Sequence, residues 1–383
     1  MARIAYFIDT IETAGAGTEK QLLMLLGGLD RRRYEPVLVC LRPSPWLAGN
    51  ELPCPVEVLD LYSRASFVMP RALAAYRDLQ RRHRFDLVQT FFVDANIVGT
   101  LMARVAGVRR VISSRRNIGY WQGRSDRLAL RVLARWTSHY IANSQAARES
   151  TVEAEGVDAT RISVINNGLD VAGVAARVSA ERAAERARLG LRDDDRLVVS
   201  VANLRPVKDV ATLVEAAAAV VAQAPRTRFA VLGEGDQRPD LEDRIARHGM
   251  QESFLLPGSA ADVVPWLAAA DIAVQGSRSE SFSNALVEYM AAGLPSVATA
   301  VGGNVEAVQD GRTGLLCPAA DPVAMADRLL TLLGDGDLAA RMGAAAAAAA
   351  LERFSVEACL GHTQDCYDRV LAGSRWNDEG VAS

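Results

Sequence analysis

The sequence predicts an α/β protein made of two doubly wound, Rossmann-like domains. Short apolar runs alternate with amphipathic stretches, and the alternation stops after Ile165 and restarts at Leu197. That rhythm gives parallel sheets covered on both faces. The length agrees, since 383 residues hold two to three domains of about 150 residues each.

In the first half the expected strands are Ile4–Ile8, Val37–Leu41, Val56–Leu59, Leu87–Thr90, Val111–Ser113, His139–Ala142 and Ile162–Ile165. Between them lie the expected helices Thr18–Leu29, Arg71–Arg82, Asn96–Val105 and Arg127–Arg135. Asn166-Asn167-Gly168 is a turn signal, a charged stretch rich in Ala, Arg and Glu runs from Arg177 to Arg196, and two domains are expected to join near residues 170–190. The second series has strands at Leu197–Val201, Phe229–Leu232, Phe254–Leu256, Ile272–Val274, Ser296–Ala298 and Gly314–Leu316. We place an N-terminal domain at 1–172, a C-terminal domain at 173–357, and a last helix with a tail at 358–383 that packs back on the first domain.

Composition excludes several classes. Half the residues are hydrophobic and 23% are charged, which does not describe a disordered chain. No run approaches the ~18 apolar residues of a membrane span, and the opening MARIAYFIDT reads as a first strand rather than a signal peptide. Five scattered cysteines (Cys40, Cys54, Cys317, Cys359, Cys366) form no C-x-x-C pair, so neither a disulfide framework nor a zinc site is expected. A cytoplasmic setting is the expectation.

Charge is uneven. Residues 1–170 carry a net charge of +6 and the remainder −9. Nine arginines and a single acid, Asp126, fall within 104–135, interrupted by Tyr120 and Trp121. Such a face suits anionic lipid headgroups, although a solvated arginine-rich helix gives the same pattern. No nucleic-acid module is present, and a nucleic-acid partner is not expected. Almost every cation is Arg; the only lysines are Lys20 and Lys208.

Three loops carry chemistry. Thr13-Ala-Gly-Ala-Gly-Thr-Glu-Lys20 follows the first strand, and its glycines let a ligand approach the backbone. A dinucleotide fingerprint needs Gly or Ala where Lys20 stands, which disfavours a dehydrogenase. Val201-Ala-Asn-Leu-Arg-Pro-Val-Lys-Asp209 places Arg205 and Lys208 on a loop between a strand and a helix, where two cations can grip a diphosphate. The sharpest segment runs from Ser277 to Pro295: Ser283 or Asn284 caps a helix, Glu280 precedes it and Glu288 lies inside it. The helix N-terminus can hold a phosphate, and a carboxylate such as Glu288 can accept two hydroxyl hydrogen bonds. Asp193-Asp-Asp195 reads as a solvated turn, and no metal site is expected.

Taken in order, these segments resemble the family-4 retaining glycosyltransferases of the GT-B fold. Glu280 to Glu288 matches the family's E-x7-E element, and Arg205 and Lys208 match its diphosphate-gripping pair. Asn143-Ser144, Val164–Asp170, Leu232–Asp236, Leu256-Pro-Gly258, Val301–Glu306 and Asp310–Leu316 also match. The resemblance covers about residues 1–370 and is densest in the second half.

It implies two domains facing across a cleft and transfer of a hexosyl or N-acetylhexosaminyl group from a UDP- or GDP-sugar, with retained anomeric configuration, without metal or cofactor. A saccharide or lipid-linked acceptor in glycan or polysaccharide biosynthesis is implied. Arg205 and Lys208 would stabilise the departing diphosphate, Glu280 would position the donor sugar, and Glu288 would bind the ribose. Ser283 and Asn284 amides would meet the phosphates, with Gly17, Asn203 and Gly258 completing the donor set.

Three departures from the pattern stand out: Ala16 where the first loop often has Gly, Ser281 where Gly often follows the first glutamate, and no His in Val88-Gln-Thr-Phe91. The loop Ser113–Gly119 offers Arg116 and Asn117 as acceptor-side residues instead. The alternatives are a non-catalytic sugar-nucleotide-binding subunit and a GT-B sugar-nucleotide epimerase.

Overall fold

The computed structural model describes every residue except 16, 63–68, 119–122 and 374–383. It divides the chain into two compact units, residues 1–168 with 356–383, and residues 169–355. Tyr120 and Trp121 of the arginine-rich stretch, and Ala16 of the first loop, lie outside the described residues.

The first unit contains β1 (Ala2–Ile8), α1 (Gly17–Gly28), β2 (Tyr34–Cys40), α2 (Pro45–Gly49), β3 (Val56–Val58), α3 (Met69–His83), β4 (Leu87–Thr90), α4 (Val93–Val105), β5 (Val111–Arg115), α5 (Arg124–Leu133), β6 (His139–Ala142), α6 (Gln145–Glu155) and β7 (Ile162–Val164). Its seven strands pair in the order β3-β2-β1-β4-β5-β6-β7, with parallel pairing throughout. Ile4 to Ile8 are fully buried, so beyond Arg3 the strand β1 is an unbroken apolar run.

The second unit contains α7 (Val171–Arg188), β8 (Arg196–Val201), α8 (Val210–Gln223), β9 (Thr227–Leu232), α9 (Arg238–Arg247), β10 (Phe254–Gly258), α10 (Val264–Ala269), β11 (Ile272–Gln275), α11 (Asn284–Ala291), β12 (Ser296–Thr299), α12 (Asn304–Ala307), β13 (Leu315–Cys317), α13 (Pro322–Gly334) and α14 (Gly336–Phe354). Its six strands are ordered β10-β9-β8-β11-β12-β13, again all parallel. Apolar layers cover both faces of this sheet, one with Val214, Phe229 and Leu329, the other with Leu267, Tyr289 and Phe354.

The region expected to join the domains, near 170–190, is mostly helix. Residues 171–188 form helix α7, packed in the second unit. Arg182 donates to Ala268 O and Ala270 O, Arg186 donates to Ala269 O, and both pair with Asp271. These arginines satisfy the C-terminal carbonyls of α10, which accounts for the charge.

The last helix, α15 (Val356–Ala372), belongs to the first unit. Tyr6 Oη donates to Tyr367 Oη at 3.1 Å, and Tyr367 Oη donates to Gln89 Oε1. Gln89 Nε2 donates to Ser114 Oγ at 3.0 Å, so one buried polar chain ties α15 to three strands. Among the described residues no helix is long and apolar enough to cross a membrane.

Candidate active site

Both sheets change winding direction beside their first strand, at β1/β4 in the first unit and β8/β11 in the second. Ligands bind such sheets outside the carboxyl ends of the strands at this point. In the second unit the two flanking loops are 202–209 after β8 and 276–283 after β11. They carry Arg205, Lys208 and Glu280.

Lys208 and Glu280 come together. Lys208 Nζ donates to Glu280 Oε2 at 2.5 Å, with both side chains mostly shielded from solvent. Ser277 Oγ donates to the same oxygen at 3.1 Å, and Gln275 Nε2 approaches it at 3.4 Å. Gln275 Nε2 also lies 3.2 Å from Ser277 Oγ and 3.2 Å from Ser283 Oγ. Gln275 Oε1 is buried without a partner among the described residues, so donation alone orients this amide.

A second link joins the same loops. Arg278 donates through Nε and Nη2 to the Asp209 carboxylate, at 2.9 and 3.2 Å. Asp209 is buried and sits in the left-handed region, at φ 48°. Thr212 Oγ1 also donates to it, at 2.8 Å. Neither Ser277, Gln275 nor the Asp209–Arg278 pair was singled out from sequence, where nothing marks residues about seventy positions apart as partners.

The loop holding Glu280 is shaped by a close backbone approach. Gly303 N–H donates to Glu280 O at 3.1 Å. Gly302 has φ 45°, and a Cβ there would lie 1.8 Å from Glu280 O. Only glycine fits, because any side chain would displace the glutamate's backbone.

The remaining donor-side residues fall in graded positions. Ser283 is the N-cap of α11 and accepts from Leu286 N–H at 3.3 Å. Asn284 begins the helix and Glu288 follows one turn later, half-buried. Arg205 and Asn203 are exposed on the loop after β8, and the Arg205 guanidinium has no ion-pair partner among the described residues. Gly258 ends β10, and β9 stands between it and β8, so it lies apart from the Lys208–Glu280 pair.

Gly17 opens α1 in the first unit, after its switch-point loop. Arg116 and Asn117 follow β5, both half-buried. Arg116 Nη2 donates to Asn167 Oδ1, and Asn143 Nδ2 donates to Arg116 O at 3.3 Å. Burial brings the Arg116 guanidinium down to about 10, so it stays charged at neutral pH while facing a neutral amide. Phe91 of the segment that lacks a His is buried in the apolar core.

Compared with known proteins, residues 181–349 match the family model for glycosyl transferases group 1, and residues 15–172 match that for glycosyltransferase family 4. The D-inositol 3-phosphate glycosyltransferase of Streptomyces scabiei is 31% identical over 316 residues, covering 77% of this chain and 70% of the relative. The chain is a family-4, group 1 glycosyltransferase. The glycosyltransferase of the same name from Streptomyces avermitilis is 30% identical over 363 residues, covering 88% of this chain and 78% of that one.

The glycosyltransferase also shares its fold with solved structures. HepE of Anabaena in complex with UDP superposes with a TM-score of 0.82 at 24% identity, covering 96% of this chain and all of that one (100%). Sucrose-phosphate synthase of Thermosynechococcus elongatus gives 0.80 at 20% identity, covering 98% and 100%. The two parallel sheets are those of the GT-B fold, and the enzyme transfers glycosyl groups.

Proposed function

We propose that this glycosyltransferase moves a hexosyl or N-acetylhexosaminyl group from a nucleoside-diphosphate sugar to a saccharide or lipid-linked acceptor, retaining the anomeric configuration and using no metal. The Lys208–Glu280 pair at the switch point carries the reading. Solved relatives hold UDP and UDP-glucose, which makes a uridine donor the first choice.

The difficult part of the reaction is negative charge growing on the leaving diphosphate. Fixed cations aimed at that position stabilise it without reorganisation. Lys208 is held by Glu280, Arg205 is exposed with no ion-pair partner among the described residues, and the N-terminus of α11 adds its dipole. The chain thus supplies the positive charge itself. Glu280 positions the donor sugar and Lys208 and does not act as a nucleophile. Glu288 takes the ribose diol. For retention, the acceptor hydroxyl attacks from the face the diphosphate leaves, and the leaving phosphate oxygen takes its proton.

The test is Glu280→Ala, assayed for sugar transfer and for donor binding. Transfer is lost while nucleotide binding survives. Unchanged turnover overturns the assignment, and binding without turnover in the unmodified chain would favour a non-catalytic subunit.

A further inference from the structure

Gln275 is the last residue of β11 and is only 1% exposed. Its amide is satisfied on one side alone. Nε2 faces Ser277 Oγ and Ser283 Oγ at 3.2 Å each and Glu280 Oε2 at 3.4 Å, while Oε1 is buried with no partner among the described residues. Turning the amide over would set its oxygen against a carboxylate, so the nitrogen faces Glu280. A buried carbonyl without a donor costs stability, and an apolar side chain of similar length in this place would carry no such cost. The polar residue is explained by what its NH2 group does to its neighbours.

Ser277 and Ser283 are buried too, and each hydroxyl has one hydrogen to give. Gln275 Nε2 donates into Ser277 Oγ, which leaves the Ser277 hydrogen to be given to Glu280 Oε2 at 3.1 Å. Ser283 Oγ accepts from Gln275 Nε2 and from Leu286 N–H, and so starts α11. One amide thus fixes both the start of the helix that carries Glu288 and the proton that reaches Glu280. The Ser277 main chain is held in turn by Thr299 Oγ1, which donates to Ser277 O at 2.6 Å.

The two oxygens of Glu280 are therefore unequal. Oε2 receives Lys208 Nζ, the Ser277 hydroxyl and the long contact from Gln275. Oε1 receives no donor among the described residues and is not closed off from solvent. We propose that Gln275 is a positioning residue for sugar transfer: through Ser277 it locks Glu280 Oε2 and turns Oε1 toward the hydroxyls of the donor sugar. The proposal rests on the reading of Glu280 as the residue that positions that sugar.

Gln275→Met tests it, since the side-chain length is kept and both amide groups are removed. Release of UDP from UDP-glucose falls roughly ten- to a hundredfold in kcat, the scale of a misplacement near 1 Å. UDP affinity by calorimetry stays within about threefold, because the nucleotide's other contacts remain. The thermal midpoint does not fall, because the unpaired carbonyl leaves with the amide. Ser277→Ala lowers kcat likewise, and the two losses do not add in the double variant, since both act through one route. A readout free of substrate comes from the lysines. The chain has only Lys20 and Lys208, so ε-13C-lysine labelling gives two signals, assigned with Lys20→Arg. Gln275→Met moves the Lys208 signal and leaves that of Lys20 in place. Unchanged kcat in folded Gln275→Met overturns the proposal. So does a lower thermal midpoint with an unmoved Lys208 signal, the result of a structural role alone. If the unmodified chain neither binds UDP nor turns over UDP-glucose, the uridine-donor reading fails separately. A moved Lys208 signal then still upholds the anchoring of Glu280 by Gln275, and an unmoved one overturns it.

Discussion

Lys208 and Glu280 are 72 residues apart in the chain, and Lys208 Nζ lies 2.5 Å from Glu280 Oε2. The pair closes one loop at the end of β8 onto another at the end of β11. Glu280→Gln keeps the size but removes the charge that holds the ammonium. We predict a loss of at least about a hundredfold in kcat, the scale seen when one preorganised electrostatic group is removed. Donor affinity by calorimetry changes less than kcat, because the nucleotide's other contacts remain.

The Asp209–Arg278 link predicts a stability effect. Asp209→Ala removes a buried carboxylate that accepts from Arg278 and Thr212. The Arg278 end is largely exposed, so most of the loss comes from the buried hydrogen bonds. Urea unfolding of the second unit's transition shows a loss of about 1–2 kcal/mol. Nucleotide affinity falls with it, since Lys208 is the preceding residue.

Gly302→Ala forces Glu280 O away from a Cβ that would sit 1.8 Å from it. Relieving that overlap moves the Glu280 backbone by roughly 1 Å, and a misplacement of that scale costs about a hundredfold in rate. Transfer assays read this loss while circular dichroism shows the fold retained. Gly311→Ala is the control: it shares a positive φ, 76°, but its Cβ meets open space. It costs about 1 kcal/mol of stability and leaves transfer intact.

His139 predicts a pH dependence of stability. Burial, then Arg161 and Arg369, push its imidazole down to about 3. Its Nε2 lies 2.9 Å from Ser163 Oγ. In the unfolded chain it titrates near 6.5, so below that pH the unfolded state binds a proton that the folded state refuses. Stability contributed by the neutral ring is intact above pH 6.5 and is lost as pH falls toward 3. At pH 5 the loss is about 2 kcal/mol. Denaturant melts at pH 7 and pH 5 measure it, and His139→Gln removes that part of the difference.

Much of this architecture was legible because buried parallel strands are short apolar runs, such as Ile4–Ile8, set between helical periods. The loops bearing Arg205, Lys208, Glu280 and Glu288 were legible because each follows a strand and opens a helix. The sequence places the join near 170–190 without showing that Val171–Arg188 is a helix packed in the second unit. Arg182 and Arg186 instead satisfy carbonyls of α10, a tertiary fact with no local sequence signal. The same holds for Gln275, Ser277 and Asp209. Their meaning lies in partners brought near by strand order, and polar residues at strand ends are common in any sheet.

The most direct test of the account is nucleotide binding by the unmodified chain and by Arg205→Ala with Lys208→Ala, followed by calorimetry in excess EDTA. UDP, GDP, ADP and their sugar conjugates form the panel. We predict that one nucleoside diphosphate, UDP first, binds without divalent ions, and that the double variant weakens it at least about tenfold. Binding that appears only with a divalent cation, or that the double variant leaves unchanged, would contradict a diphosphate site built from the chain's own cations.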